Sequence, residues 1–278
     1  MKETFFFDIE EKRGENTLFA PRRFVDAIEV VFVLRGTVAV RGALIHFEAK
    51  EGEIFFLPPN MVRQVSAVGG FAAVRAIRFS ASPFYNMGES IDNDLFYMFM
   101  MQARTRNYRI TPDSPLYLST LHYFENCYGE YQSRELCYGL RIQGQLSLMM
   151  GQVLASYSAT TKENDRIVYH NVLRLRPVLE YIDAHYEEKI SVPELAEYLM
   201  VTPDYFTKLF RDSIGKTTVD YLNSVRINRS MILLLEKDMP ISEIATEVGL
   251  VSGNYFSKLF RKTLGITPLA YRKLGQTE

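Results

Sequence analysis

The sequence predicts an α+β multidomain protein: an N-terminal antiparallel β-barrel carrying appended helices, followed by an all-α domain with two helix-turn-helix units. Three observations point there. Short β-branched runs punctuated by Gly and Pro fill the chain to about Pro83. Apolar residues then recur at near-helical spacing. Last, the heptad Tyr205 to Arg211 (YFTKLFR) returns 50 residues later as Tyr255 to Arg261 (YFSKLFR). At roughly 150 residues per domain, 278 residues also suggest about two domains.

The barrel strands are read from Glu29 to Leu34, Thr37 to Val40, Leu44 to Phe47, Ile54 to Leu57 and Phe71 to Phe79, with turns at Arg35-Gly36 and Gly42-Ala43. From about residue 92 to 158, Leu116, Leu121, Phe124 and Tyr128 form one stripe. Leu140, Leu146, Met149, Met150 and Val153 form a second. Ser158 to Asp165 is small, polar and charged, which suits a linker. The expected organisation is residues 1–158 as a sensing and dimerisation domain, with the barrel over about 1–85 and helices over about 92–158. Residues 159–169 form the linker and 170–278 the helical domain.

Composition excludes several classes. Lys and Arg number 32 against 33 Asp and Glu, a net charge of −1, so the chain does not coat nucleic acid by charge alone. Phe5-Phe6-Phe7 is too short, and too closely flanked by acids, for a signal peptide. No apolar stretch approaches the ~18 residues of a membrane span. Cys127 and Cys137 are too few for a disulfide framework. They read as reduced core cysteines of a cytoplasmic protein, on different turns of one helix. His46, His122, His170 and His185 have no metal-binding spacing.

The duplication extends beyond the heptad. Gly215 matches Gly265, Thr217-Thr218 matches Thr267-Pro268, Tyr221 matches Tyr271, and Leu195-Ala196 matches Ile244-Ala245 with one extra residue in the second copy. Each copy reads as helix, tight turn, helix. Ser191 and Glu194 have capping-box spacing, and Thr202-Pro203 gives an N-cap followed by Pro at the first helical position. Phe206, Leu209, Phe210 and Ile214 make a buried stripe that ends at Gly215. The second copy opens at Ile241-Ser242-Glu243, turns at Gly249 and caps at Ser252. It buries Phe256, Leu259, Phe260 and Leu264, then stops at Gly265. The opposite faces carry Asp204, Thr207, Lys208 and Arg211, and Asn254, Ser257, Lys258 and Arg261. Donors and cations on the N-terminal half of a second helix suit entry into a DNA major groove. A long helix from Val219 to Glu236 would space the two faces by about one helical turn (~34 Å). Its Arg226 and Arg229 are candidates for phosphate or for acid partners.

Residues Val178 to Lys273 resemble the AraC family of bacterial transcription regulators. The matching motifs are Ile244-Ala245-Thr246-Glu247-Val248-Gly249, then Ser252 to Arg261 (SGNYFSKLFR), then Gly265 to Arg272 (GITPLAYR). The resemblance implies a seven-helix module with two recognition helices in adjacent major-groove segments. Carried over, the base-facing positions are Pro203, Asp204, Thr207, Lys208 and Arg211, and Gly253, Asn254, Ser257, Lys258 and Arg261.

The N-terminal part resembles the cupin barrel. Glu29 to Gly36 fits the end of the first cupin motif, and Gly52, Pro58, Asn60 and Arg63 fit the second. The metal histidines are replaced: Arg22-Arg23-Phe24-Val25 precedes Glu29, and Arg63 takes the last histidine position. No metal or cofactor is therefore expected, and a cupin-type metal enzyme is disfavoured. The residues left for an effector are Arg22, Arg23, Glu29 and Arg63, a set suited to a small anionic or polyhydroxylated molecule such as an organic acid or sugar.

The resulting expectation is a cytoplasmic, non-enzymatic homodimer that binds a double-stranded DNA operator, with RNA polymerase as a further partner if it activates. An effector would act by shifting populations. The alternative is a ligand-independent regulator whose barrel only dimerises or binds a protein. Residues 166–278 hold 15 basic and 14 acidic side chains, a net of +1, so DNA affinity must come from where the charges lie.

Overall fold

The computed structural model describes residues 5–22, 27–59, 61–85, 94–97, 99–101, 108–159, 163–236 and 238–275. The strands in chain order are β1 (Phe7–Gly14), β2 (Thr17–Arg22), β3 (Ala27–Arg35), β4 (Thr37–Gly42), β5 (His46–Lys50), β6 (Ile54–Leu57), β7 (Arg63–Ala67), β8 (Ala72–Ser80) and β9 (Arg109–Ile110). They pair antiparallel in two sheets, ordered β1-β8-β3-β6-β9 and β2-β7-β4-β5.

Alternation sorts the side chains. Val31, Val33, Phe55, Leu57, Val74 and Ala76 are buried in one cluster with Val38, Val40 and Val65 of the other sheet. Ile28, Val30, Ile54, Phe56, Ile77 and Phe79 point the other way, beneath helices. Strand β3 is thus covered on both faces, which is why it reads as a continuous apolar run.

Helix α1 spans Ser82–Tyr85, and residues 94–97 and 99–101 are helical (α2). Helices α3 (Tyr117–Ser133) and α4 (Tyr138–Ala159) cover the outer face of the first sheet. Phe124, Cys127, Ile142, Leu146, Met149, Met150 and Val153 are buried there, each large apolar side chain contributing about 1.5–3 kcal/mol. Helix α5 (Glu163–Ala184) follows. Then come α6 (Val192–Tyr198), α7 (Pro203–Ile214), α8 (Thr218–Glu236), α9 (Ile241–Glu247), α10 (Gly253–Leu264) and α11 (Pro268–Gly275).

Several expectations are corrected. Strand β5 starts at His46, not Leu44. The inner stripe of α3 is Thr120, Phe124 and Cys127, with Leu121 and Tyr128 only partly buried. Leu140 is 70% exposed, and Ile142 takes its place in the core. Cys127 is buried and its thiol is pushed up to about 12, by burial first and then by the Glu130 charge. Cys137 is exposed at φ 63° between α3 and α4, so it is neither a core residue nor on the same helix. The expected linker overlaps the start of α5, since helix is regained at Glu163.

The C-terminal helices dock on the barrel. The buried Val62 N–H donates to Asn228 Oδ1 at 2.9 Å, and Lys216 Nζ donates to the Leu44 carbonyl at 3.3 Å. Ala43 and Val62 are buried among Ile227, Met231, Phe256 and Phe260.

Candidate nucleic-acid interface

The first unit is α6, a turn and α7. Ser191 closes a complete capping box with Glu194, and Thr202 caps α7 through the Tyr205 N–H with Pro203 behind it. Gly215 at φ 77° ends α7 by donating to the Arg211 carbonyl. The second unit is α9, a turn and α10. Ser252 caps α10 through the Tyr255 N–H and Gly265 ends it the same way. Helix α9 begins after Pro240 without a side-chain cap.

The duplicated apolar residues repeat the same packing. Phe210 meets Tyr221 edge-on with centroids 5.7 Å apart, and Phe260 meets Tyr271 at 5.4 Å. Thr217 caps α8 through the Asp220 N–H, as Thr267 caps α11 through the Ala270 N–H. Phe206, Leu209, Phe210 and Ile214 are buried, as are Phe256, Phe260 and Leu264; Leu259 is half-buried. With the apolar stripe fixed, the polar faces turn to solvent.

Pro203, Asp204, Thr207, Lys208 and Arg211 are all exposed on α7. On α10, Asn254, Lys258 and Arg261 are exposed, while Gly253 and Ser257 are half-buried. Gly253 sits against α9: an added Cβ would lie 3.3 Å from the Ser242 Cα. Thr207 spends its hydroxyl on the Pro203 carbonyl at 2.8 Å. Among the described residues, Lys208, Arg211, Lys258 and Arg261 form no ion pair. An exposed helix face of such cations and hydrogen-bonding groups is equipped to meet phosphate oxygens and base acceptors.

Arg226 and Arg229 are half-buried, and their hydrogen bonds go to backbone carbonyls. Arg226 donates to the carbonyls of Tyr186 and Glu188, each at 2.7 Å, and Arg229 donates to the Asp183 carbonyl at 3.4 Å. Arg229 ties α8 to the end of α5, and Arg226 ties it to the segment that follows.

The candidate effector residues separate into two groups. Arg22 is in β2 with a side chain outside the described residues, and Arg23 lies outside them altogether. Glu29 and Arg63 come together, each 2% exposed. Arg63 Nε donates to Glu29 Oε2 at 3.0 Å, and Arg63 Nη1 donates to the Met61 carbonyl at 3.1 Å. Sequence reasoning missed Arg78, which donates to Glu29 Oε1 at 2.9 Å and also pairs with Asp8 and Glu10. Its signal was the alternation Val74, Ala76, Arg78, which faces it inward. Burial opposes ionisation of Glu29, but the Arg63 and Arg78 charges outweigh it and hold the carboxyl below the usual carboxylate range. The three side chains pin one sheet to the other.

Two family models match the chain. The AraC-like ligand binding domain matches residues 7–86, and the helix-turn-helix domain matches residues 195–274. The chain belongs to the AraC family of transcription regulators. As such it is a DNA-binding transcription regulator with a ligand-binding domain. A Bacillus subtilis HTH-type transcriptional regulator, YdeC, is 21% identical over 257 residues, covering 92% of this chain and 87% of the relative. A Staphylococcus epidermidis response regulatory protein is 35% identical over 99 residues, which is 36% of this chain and 39% of that protein. Among solved structures, ToxT from Vibrio cholerae shares the fold of the whole chain. Its TM-score is 0.58 at 16% identity, covering 98% of this chain and 99% of ToxT. Among the described residues no helix is long and apolar enough to cross a membrane.

Proposed function

We propose that this AraC-family regulator reads its operator through two faces, Pro203, Asp204, Thr207, Lys208 and Arg211 on α7 and Gly253, Asn254, Ser257, Lys258 and Arg261 on α10. The observation that carries this is the duplicated exposed cationic face, held opposite a duplicated buried stripe. Gly253 offers backbone only, so readout at that end of α10 passes to Asn254. Residues 170–278 act as the DNA-binding domain and 1–158 as the sensing and dimerisation domain of a cytoplasmic protein that acts by binding rather than catalysis. RNA polymerase is the partner if the outcome is activation. Selection from a randomised duplex library should recover a defined site, and Lys258→Ala with Arg261→Ala should weaken binding to it by ~1–3 kcal/mol per base-edge interaction lost. Undiminished affinity for the selected site in that variant would refute the assigned face.

The dimer surface is the outer stripe of α4. Leu140, Gly144, Leu148, Gly151 and Ala155 are exposed at spacings of three or four residues. Leu140 and Leu148 are 70% and 57% exposed. Burial of such a stripe on a second copy would cover this apolar surface. Sedimentation at micromolar concentration should show a dimer, and Leu148→Glu should give a monomer.

An effector inside the barrel would meet the Glu29, Arg63 and Arg78 network, with Arg22 and Arg23 as further candidate contacts. An organic acid would compete with Glu29 for the two guanidinium groups. One ToxT structure, with a TM-score of 0.50 at 13% identity, is described as bound to an unsaturated fatty acid, which is consistent with an acidic effector here. A thermal-shift panel of organic acids and sugars tests this. A panel without any stabiliser would favour a barrel that only dimerises or binds protein.

A further inference from the structure

A cavity of about 240 Å³ opens where the sensing domain meets the DNA-binding helices, apart from the barrel interior. One side is apolar and comes from the sensing domain: Pro58 and Pro59 after β6, and Met100 and Met101 with Tyr97 on α2. The other side is supplied by α5 and α8. Glu180 and Asp183 stand three residues apart on α5, so both face the same opening.

We propose that this cleft binds a compact apolar organic cation, such as a quaternary ammonium or a protonated aromatic amine. Methionine and tyrosine walls suit a polarisable body, and the paired carboxylates suit its charge. The chain already displays this chemistry at the same place. The Arg176 guanidinium lies 4.6 Å from the Tyr97 ring centre, with Glu180 at 2.9 Å and Asp94 at 3.6 Å. Arg176 is partly exposed, so its cation is held there by a pair that water and a competing cation can open. The Tyr97 hydroxyl is pushed up by burial first, then by Tyr221, Glu180 and Asp183, against Arg176. Arg229, a cation that lines the cleft, lies over the Tyr186 ring at 5.1 Å and donates to the Asp183 carbonyl at 3.4 Å.

The volume limits the ligand to a small molecule, below the usual drug-sized pocket of ~300–1,000 Å³. A ligand there touches both domains at once. Its binding energy is then coupled to how the DNA-binding helices dock on the barrel, giving one site from which docking can be biased.

Calorimetric titration of the full chain with benzyltrimethylammonium tests the proposal, with phenylacetate and benzyl alcohol as matched anionic and neutral probes. Saturable binding is expected for the cation, weaker by roughly tenfold in Glu180→Gln with Asp183→Asn. Arg176→Met, which removes the internal competitor, should tighten it several-fold. Both changes lie on the surface of α5. The proposal is overturned by absence of saturable binding, by phenylacetate binding as tightly as the cation, or by Arg176→Met weakening it. No DNA enters this measurement, so its failure is separate from failure of the operator reading.

Discussion

The two helix-turn-helix units share a core and a cationic pair but differ in the charge around that pair. Helix α7 carries Lys208 and Arg211 against Asp204 and Asp212, for no net charge. Helix α10 carries Lys258, Arg261 and Lys262 without an acid. Their turns differ as well. Met200 takes a left-handed conformation at φ 54° and is 93% exposed. Gly249 takes it at φ 74° beneath the Glu187 carbonyl oxygen, which an added Cβ would approach to 2.3 Å. The apolar stripe repeats because the fold needs it, whereas the outer face is free to diverge. On the proposed reading of DNA by both faces, the second unit would be the electrostatic anchor and the first would contribute hydrogen-bonding discrimination at lower affinity.

The largest effect expected from that difference is on DNA. Lys258→Ala with Arg261→Ala should weaken binding by ~1–3 kcal/mol per base-edge interaction removed, measured by fluorescence anisotropy on the selected operator. Lys208→Ala with Arg211→Ala should cost less and flatten the salt dependence less. Equal effects of the two double changes would break the comparison.

The turns come next. Gly249→Ala should destabilise the chain by about 3 kcal/mol in denaturant unfolding, from left-handed strain plus the backbone clash. Met200→Gly relieves strain at an exposed site and should change stability by under about 1 kcal/mol. The N-caps are the point of likeness: Thr202→Ala and Ser252→Ala should each cost about 1 kcal/mol. The smallest effect is at Asp204, where Asp204→Asn should raise affinity a few-fold by removing an acid beside phosphate.

The double unit was legible because duplication and helix caps are local. Ser191, Thr202, Gly215, Ser252 and Gly265 each act within one turn of their own position. Strand β1 was not, because Asp8, Glu10, Glu11, Lys12 and Arg13 crowd a strand that pairs on one side only, where charge is tolerated. The buried Glu29 pair was half legible. Glu29 and Arg63 stood out against the cupin pattern, and the alternation Val74, Ala76, Arg78 turns Arg78 inward, but that it meets Glu29 follows from cross-strand register, which a lone sequence does not show. Arg226 and Arg229 looked available for phosphate because their partners are backbone carbonyls some 40 residues away. Leu140 obeyed the helical period yet faces out, since periodicity assigns a stripe without saying which neighbour covers it.

Hydroxyl-radical footprinting of the full chain on its selected operator tests the central claim most directly. Two protected patches about one helical turn (~10.5 base pairs) apart per protomer are expected, with one abolished in Lys258→Ala/Arg261→Ala and the other in Lys208→Ala/Arg211→Ala. A single patch per protomer, or two patches that persist in both variants, would contradict readout by the paired faces of α7 and α10.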